Sequence, residues 1–267
     1  MIDLQGYGPS IFEGAILTIE LAVLSLAIAV FLGLLTASAK LSHNPLLRGV
    51  GSAYTTLIRG VPDLVLMLLF FYGGQMLINS ATDAFYDRYE SYFAHLFSGS
   101  EAGNAEQFSP HFQFFFDWLK DWYEDDFFIN VNEFIAGVTT IGFIFGAYMG
   151  ETFRGAFLAV EKGQIEAGVA YGMTSWQRFH RILFPQMMRH ALPGIANNWQ
   201  VLLKTTALVS ILGLQDMVRL ASEAAKATHQ PFTFLLPVAV GYLLMSAVSE
   251  SGFSLLNRKY SVGVEKG

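Results

Sequence analysis

The chain has 267 residues, of which 53% are apolar and only 14% charged, with a mean hydropathy of +0.41. That balance excludes a soluble domain of average composition and points to an all-α polytopic membrane protein. The absence of cysteine excludes disulfides and thiolate metal sites, the net charge of −6 gives no reason to expect nucleic acid as a partner, and no G-x-x-x-x-G-K-[ST] stretch provides an ATP-binding loop.

Five apolar runs are predicted to cross a bilayer, over residues 11–37, 63–78, 134–149, 192–214 and 232–256. The first ends in Ala37-Ser38-Ala39, which mimics a signal-peptide cleavage site, yet no basic residue precedes it and its apolar length exceeds that of a cleaved leader. It is therefore expected to remain as a span. Five spans place the termini on opposite sides. Eleven of the sixteen Lys and Arg residues lie in the connection holding Lys40, Arg48 and Arg59, the connection from Arg154 to Arg189, and the C-terminal tail. Since cytoplasmic connections are enriched in Lys and Arg, the N-terminus is expected outside and the C-terminus inside the cell.

Between the second and third runs, residues 79–130 hold ten acids against Arg88 and Lys120. Within this extracytoplasmic insertion, residues 111–128 interleave aromatics with acids. Two readings fit: an amphipathic helix lying at the outer membrane surface, or a docking segment for a solute-binding protein or a cationic solute.

Ionisable groups inside spans are costly and so point to function or to a partner. Four stand out: Glu20 in the first run, Asp63 entering the second, Glu151 leaving the third and Lys204 in the fourth. Tyr148 and Glu151 share a helix face at i, i+3, beside the small Gly146, Ala147 and Gly150, an arrangement suited to an ammonium or guanidinium group. The same spacing also pairs Glu151 with Arg154. Asp63 directly follows Pro62, where the helix dipole favours an acid. Around Lys204, the run from Asn197 to Leu208 carries polar side chains that must face protein or water, whether at a translocation path, a subunit interface or a bundle contact. No catalytic constellation can be assembled: the six histidines are scattered, and neither H-E-x-x-H nor a nucleophile elbow is present.

Residues 162–193 form the one long amphipathic segment between spans. A first short helix is predicted from Lys162 to Tyr171, with Gly172 as its stop, and Thr174 with Gln177 as a capping box opening a second helix that ends near Pro185. The elements Glu166-Ala167-Gly168, then Gly172, then Ile182-Leu183-Phe184-Pro185 resemble the EAA loop of ATP-binding-cassette importer permeases. Gly168 stands where the family has a second Ala, and Phe184 where it has Leu. The stretches 54–62, 146–156, 197–208 and 258–263 extend the resemblance over most of the chain. They make it similar to the polar-amino-acid permeases, and among these to the Q-type subunits of histidine and lysine/arginine/ornithine importers.

The resemblance implies a single five-span permease domain over residues 1–267, of the type I importer fold, in the bacterial inner membrane. It implies a cytoplasmic coupling helix, with Glu166, Ala167, Gly168, Gly172, Ile182 and Pro185 set against an ATPase subunit. It further implies a sister permease, expected to be a different chain, a pair of cytoplasmic ATPase subunits that bind the ATP, and a periplasmic solute-binding protein. Tyr148, Glu151 and Asp63 are then expected to contact a basic amino acid; no catalytic or metal site and no cofactor on this chain are implied. Alternatives are import of a neutral amino acid or opine through the same fold, a membrane scaffold without transport, and a membrane enzyme.

Overall fold

A computed structural model describes residues 4–82, 84 and 132–260. The insertion over 79–130, apart from 79–82 and 84, and the tail from 261 lie outside the described residues. By internal contacts the chain divides into Met1–Leu68 with Glu133–Gly267, and Leu69–Asn132.

Every regular element among the described residues of the larger unit is a helix. α1 (Gly8–Leu41) is the first apolar run, extended at both ends. α2 (Pro45–Gly60) is capped by Asn44, whose side chain accepts from Leu46 N, with Pro45 in the first turn where no N–H is needed. After Val61 and Pro62 break the helix, α3 (Asp63–Leu68) begins. Within the smaller unit, Leu69–Gly73 is a π turn, and Gln75 donates to Asn79 at 3.2 Å.

α4 (Glu133–Leu158) is the most buried helix and the centre of the larger unit, packing chiefly on α1. The reason is steric. A Cβ placed on Gly33 would lie 2.5 Å from Met149 Cβ, one on Gly142 2.6 Å from Ile28 Cγ2, and one on Gly150 2.8 Å from Thr36 Cγ2. Only glycine permits backbones this close, the small-residue packing by which helices associate where the hydrophobic effect supplies little. The third apolar run ends at Met149, but the helix continues nine residues further, so Glu151 and Arg154 both lie within it.

α5 (Lys162–Ala170) and the single turn α6 (Ser175–Arg178) form the predicted hairpin. Gly172 takes φ +72°, the left-handed stop, and the Thr174–Gln177 capping box closes in both directions, at 3.3 and 2.9 Å. The second helix does not end near Pro185, however. Phe179–Leu183 forms a π turn, and Pro185 sits in the first turn of α7 (Phe184–Thr205). The extra residue in the π turn relieves the contact between the proline ring and the preceding turn, so the rod passes the proline unbroken. After the 3₁₀ segment Thr206–Leu212, the chain bends by 52° into α8 (Met217–Thr228), then runs into α9 (Pro231–Tyr260). A cluster of Ile11, Met217, Ala221, Ala224, Ala225, Phe234 and Val238 joins α1, α8 and α9.

Among the described residues, four helices are long and apolar enough to cross a membrane: Gly8–Leu41, Asp63–Thr82, Glu133–Leu158 and Pro231–Tyr260. The bent pair Ser175–Leu212 with Met217–Thr228 reaches that length and apolarity only when its two arms are taken together, as one broken span or a re-entrant loop. Four of the five predicted runs lie within these helices, and the fourth, 192–214, overlaps the bent pair.

Candidate functional site

Two places carry the groups singled out in the sequence. The first lies along α4, where Tyr148 and Glu151 project from adjacent turns. The Val61-Pro62 break turns the chain so that Asp63, opening α3, comes to Tyr148: its Oδ1 accepts from the Tyr148 hydroxyl at 3.5 Å. Arg59, in the last turn of α2, places its guanidinium carbon 5.6 Å from the centroid of the same ring. A carboxylate, a phenol and a guanidinium are thus gathered around one aromatic face, the chemistry that binds a group bearing both charges.

Glu151 is engaged differently. One carboxylate oxygen accepts from Lys40 Nζ and the other from Arg154 Nε at 3.0 Å, while Lys40 also donates to Thr55 Oγ1 at 2.8 Å. The Lys40 and Glu151 side chains are only 12% and 20% exposed. This network ties the ends of α1 and α2 to α4. The i, i+3 spacing therefore does yield the Arg154 pair, and Lys40 joins it from 111 residues away in sequence. Nearby, Tyr54 donates to the Phe143 carbonyl oxygen, and burial pushes its hydroxyl up to about 12, so it stays a donor at every physiological pH. Of the three substrate-contact residues named from sequence, the structure brings Asp63 and Tyr148 together, and it gives Glu151 two cationic partners. The sequence marks Lys40 only as a topology charge and Arg59 as that and as part of the resembling stretch 54–62. Arg59's position, four residues before Asp63 across a proline break, was the available signal.

The second place is the hairpin. Glu166 and Ala167 are exposed on α5, and Gly168 is buried. A Cβ on Gly168 would lie 2.8 Å from Ile182 Cδ1 and 3.2 Å from Arg178 Cγ. The departure from Ala at this position is what lets Ile182 of the π turn seat on α5. Trp176, His180 and Phe184 stack in a column, with ring centroids 5.7 and 6.3 Å apart, on the second rod. Trp176 is 69% and Tyr171 85% exposed. The hairpin thus combines a locked backbone with an uncovered aromatic surface.

The polar run in α7 separates into two sets. Asn198 donates to Thr152 Oγ1 at 3.0 Å and Gln200 to the Ser246 carbonyl oxygen at 3.0 Å, joining α7 to α4 and α9. Asn197 and Lys204 are exposed, as is Glu20 on α1.

The family model for the inner membrane component of binding-protein-dependent transport systems matches residues 29–262. The chain is similar to the histidine/lysine/arginine/ornithine transport system permease protein HisQ of Escherichia coli K12, with 46% identity over 263 residues, 98% of each chain. It is 34% identical over 263 residues, 98% of this chain and 95% of the relative, to the octopine transport system permease protein OccQ of Agrobacterium tumefaciens Ach5. Among solved structures it resembles an amino acid ABC transporter crystallised with histidines, with a TM-score of 0.69 and 26% identity over 97% of this chain and 99% of that one.

Proposed function

This chain belongs to the family of inner membrane components of binding-protein-dependent transport systems, and on that premise we propose that it is the permease subunit of an ATP-driven importer of basic amino acids. The observation that carries the reading is similarity to a histidine/lysine/arginine/ornithine permease along almost the whole chain, at 46% identity. The geometry that supports it is the Asp63–Tyr148–Arg59 cluster. Asp63, beside the Tyr148 hydroxyl, receives the side-chain cation or α-ammonium, and Arg59 receives the α-carboxylate, so the two ends of a zwitterion are read at once. Glu151 contributes to the substrate site only in a state where Lys40 withdraws; otherwise it holds α1 and α2 against α4.

The chain itself moves solute rather than reacting with it. ATP is bound and hydrolysed by a separate pair of cytoplasmic ATPase subunits, a periplasmic solute-binding protein delivers the amino acid, and a sister permease that is a different chain completes the path. The N-terminus faces the periplasm and the C-terminus the cytoplasm, which places the hairpin on the ATPase side. Closure of the ATPase pair on ATP pushes the hairpin of α5 and α6. Because the π turn makes α6 continuous with α7, that displacement passes directly into a span without crossing a flexible joint. Alternating access follows, and hydrolysis resets it.

The test is ATP-dependent uptake of labelled arginine, lysine and histidine into proteoliposomes holding the chain with its co-encoded partners. Asp63→Asn is expected to raise KM for all three at least tenfold with ATPase activity retained. Glu166→Lys and Gly172→Pro are expected to abolish uptake while membrane insertion stays normal. Wild-type uptake of none of the three, with uptake of octopine instead, would favour the opine reading that similarity to OccQ supports.

A further inference from the structure

Glu151 is approached by more positive charge than it carries negative. Lys40 and Arg154 both donate to its carboxylate, in a place where the Lys40 and Glu151 side chains are only 12% and 20% exposed. One cation is surplus, and the two are not equally fixed. Arg154 stands three residues along the same helix, so it stays beside Glu151 whatever α1 and α2 do. Lys40 comes from another helix, as a compact ammonium on a flexible four-carbon stem in the next-to-last position of α1. That stem lies against Gly51 of α2, where a Cβ would come within 2.8 Å of Lys40 Cγ, and the ammonium has a second acceptor in Thr55 Oγ1 at 2.8 Å. Glycine leaves the stem its channel, and from a helix end a long side chain carries its charge out to water without unwinding the helix.

We propose that Lys40 is a built-in competitor for the cargo: its ammonium occupies the Glu151 carboxylate in the empty permease, yields it to the side-chain cation of a bound basic amino acid, and on returning expels that amino acid. The proposal rests on the importer reading above and assigns the cargo's third charge. Asp63 takes the α-ammonium and Arg59 the α-carboxylate. Glu151 lies three residues beyond Tyr148, a rise of about 4.5 Å along α4, which the stem of a lysine or arginine spans. A third cation beside one carboxylate is repelled by the two already there, so the cargo enters only as Lys40 leaves. The exchange is neutral in charge: one ammonium departs, one ammonium or guanidinium arrives, and Arg154 remains. A solute without side-chain charge cannot drive it, because it offers Glu151 nothing in place of the ion pair it would break. Lys40 thereby makes binding weaker and release faster, and restricts the exchange to cations.

The experiment uses the permease–ATPase assembly in lipid nanodiscs without the solute-binding protein, so that binding reports the permease's own site. Lys40 is first tested in the unaltered chain, by brief acetylation with N-hydroxysuccinimidyl acetate and peptide mass spectrometry, with exposed Lys226 as the reference. Saturating arginine is compared with citrulline, which has the same α-groups and consumes the reagent equally but carries no side-chain charge. Arginine is expected to raise acetylation of Lys40 severalfold over citrulline and to leave Lys226 unchanged. Lys40→Gln is then expected to lower the Kd of labelled lysine roughly tenfold, the value of one charge-assisted hydrogen bond no longer broken on binding. Citrulline binding should stay as it was, and maximal lysine uptake in proteoliposomes should fall. A residue that only clasps α1 to α4 predicts a variant that melts earlier and binds lysine no better. Equal acetylation with arginine and citrulline overturns the proposal, as does an unchanged or raised Kd for lysine in Lys40→Gln. Arginine binding to the parent with Lys40 still protected defeats this inference alone; a parent that binds neither arginine nor lysine defeats the importer reading and this inference with it.

Discussion

At the seam between α1 and α4, Gly33, Gly142 and Gly150 hold two backbones closer than any side chain would tolerate, whereas Gly172 in the hairpin meets nothing within 4 Å and is needed only for its φ of +72°. In the first region glycine acts through space, and in the second through torsion. The difference separates what must stay rigid from what must present a surface. The α1–α4 pair has no slack, and Glu151 with Lys40 and Arg154 ties off one end of it. The hairpin instead fixes its own shape locally, by the Gly172 stop, the capping box and the seating of Ile182 on Gly168, and leaves Trp176 and Tyr171 uncovered.

The strongest way to break this contrast is Gly142→Val. Its added carbons enter the Ile28 side chain, and overpacking of this kind costs about 3 kcal/mol, equivalent to a loss of roughly 6–12 °C in Tm for a chain of this size. Scanning fluorimetry in detergent reads it, and an unchanged Tm would show that the two helices slide freely. Next comes Lys40→Met, which leaves the mostly buried Glu151 with Arg154 alone and is expected to cost about 2 kcal/mol. Lys40→Met with Glu151→Leu together should cost less than the two single changes summed, because the pair is removed along with its desolvation. A strictly additive cycle would mean that the carboxylate answers to Arg154 only.

Gly172→Val sharpens the other side of the comparison. Forcing a β-branched residue into the left-handed region costs about 1–2 kcal/mol, yet the membrane unit should melt as before. Transport should fall while melting does not, and a parallel loss of both would make the hairpin part of the core. The smallest effect is expected from Gly168→Ala. Helix propensity favours Ala by about 1 kcal/mol, but its Cβ presses on the end of Ile182, so stability should change by less than about 1 kcal/mol while coupled ATPase activity declines. Ile182→Val in the same chain should restore that activity; if it does not, Gly168 acts on the ATPase itself rather than through Ile182.

Features whose cause lies within a few residues were legible in advance. Gly172 stops α5 and Thr174 caps α6 because those contacts span three or four residues of chain. Pro185 misled for a related reason. A proline reads locally as a helix end, and whether a π turn absorbs it depends on what the next rod packs against. The partners of Glu151 show the opposite limit. Arg154 at i, i+3 was visible, but Lys40 arrives from the far end of α1, and no pattern in the sequence marks a lysine in the last turn of a long apolar helix as anything but a topology charge. The resemblance groups Asp63 with Tyr148, but their contact depends on the bend at Pro62, which no sequence pattern measures.

The sequence by itself determined the class, the apolar runs and the opening of the hairpin, since these follow from apolar length, charge bias and short-range backbone chemistry that act wherever the chain goes. Tertiary structure decided which charges are spent within the bundle and which remain outward, leaving Glu151 paired and Lys204 exposed although both are ionisable groups in helices of similar length. The physical reason is that an ion pair is a property of two helices in one register, and that register is set by the glycine contacts between α1 and α4.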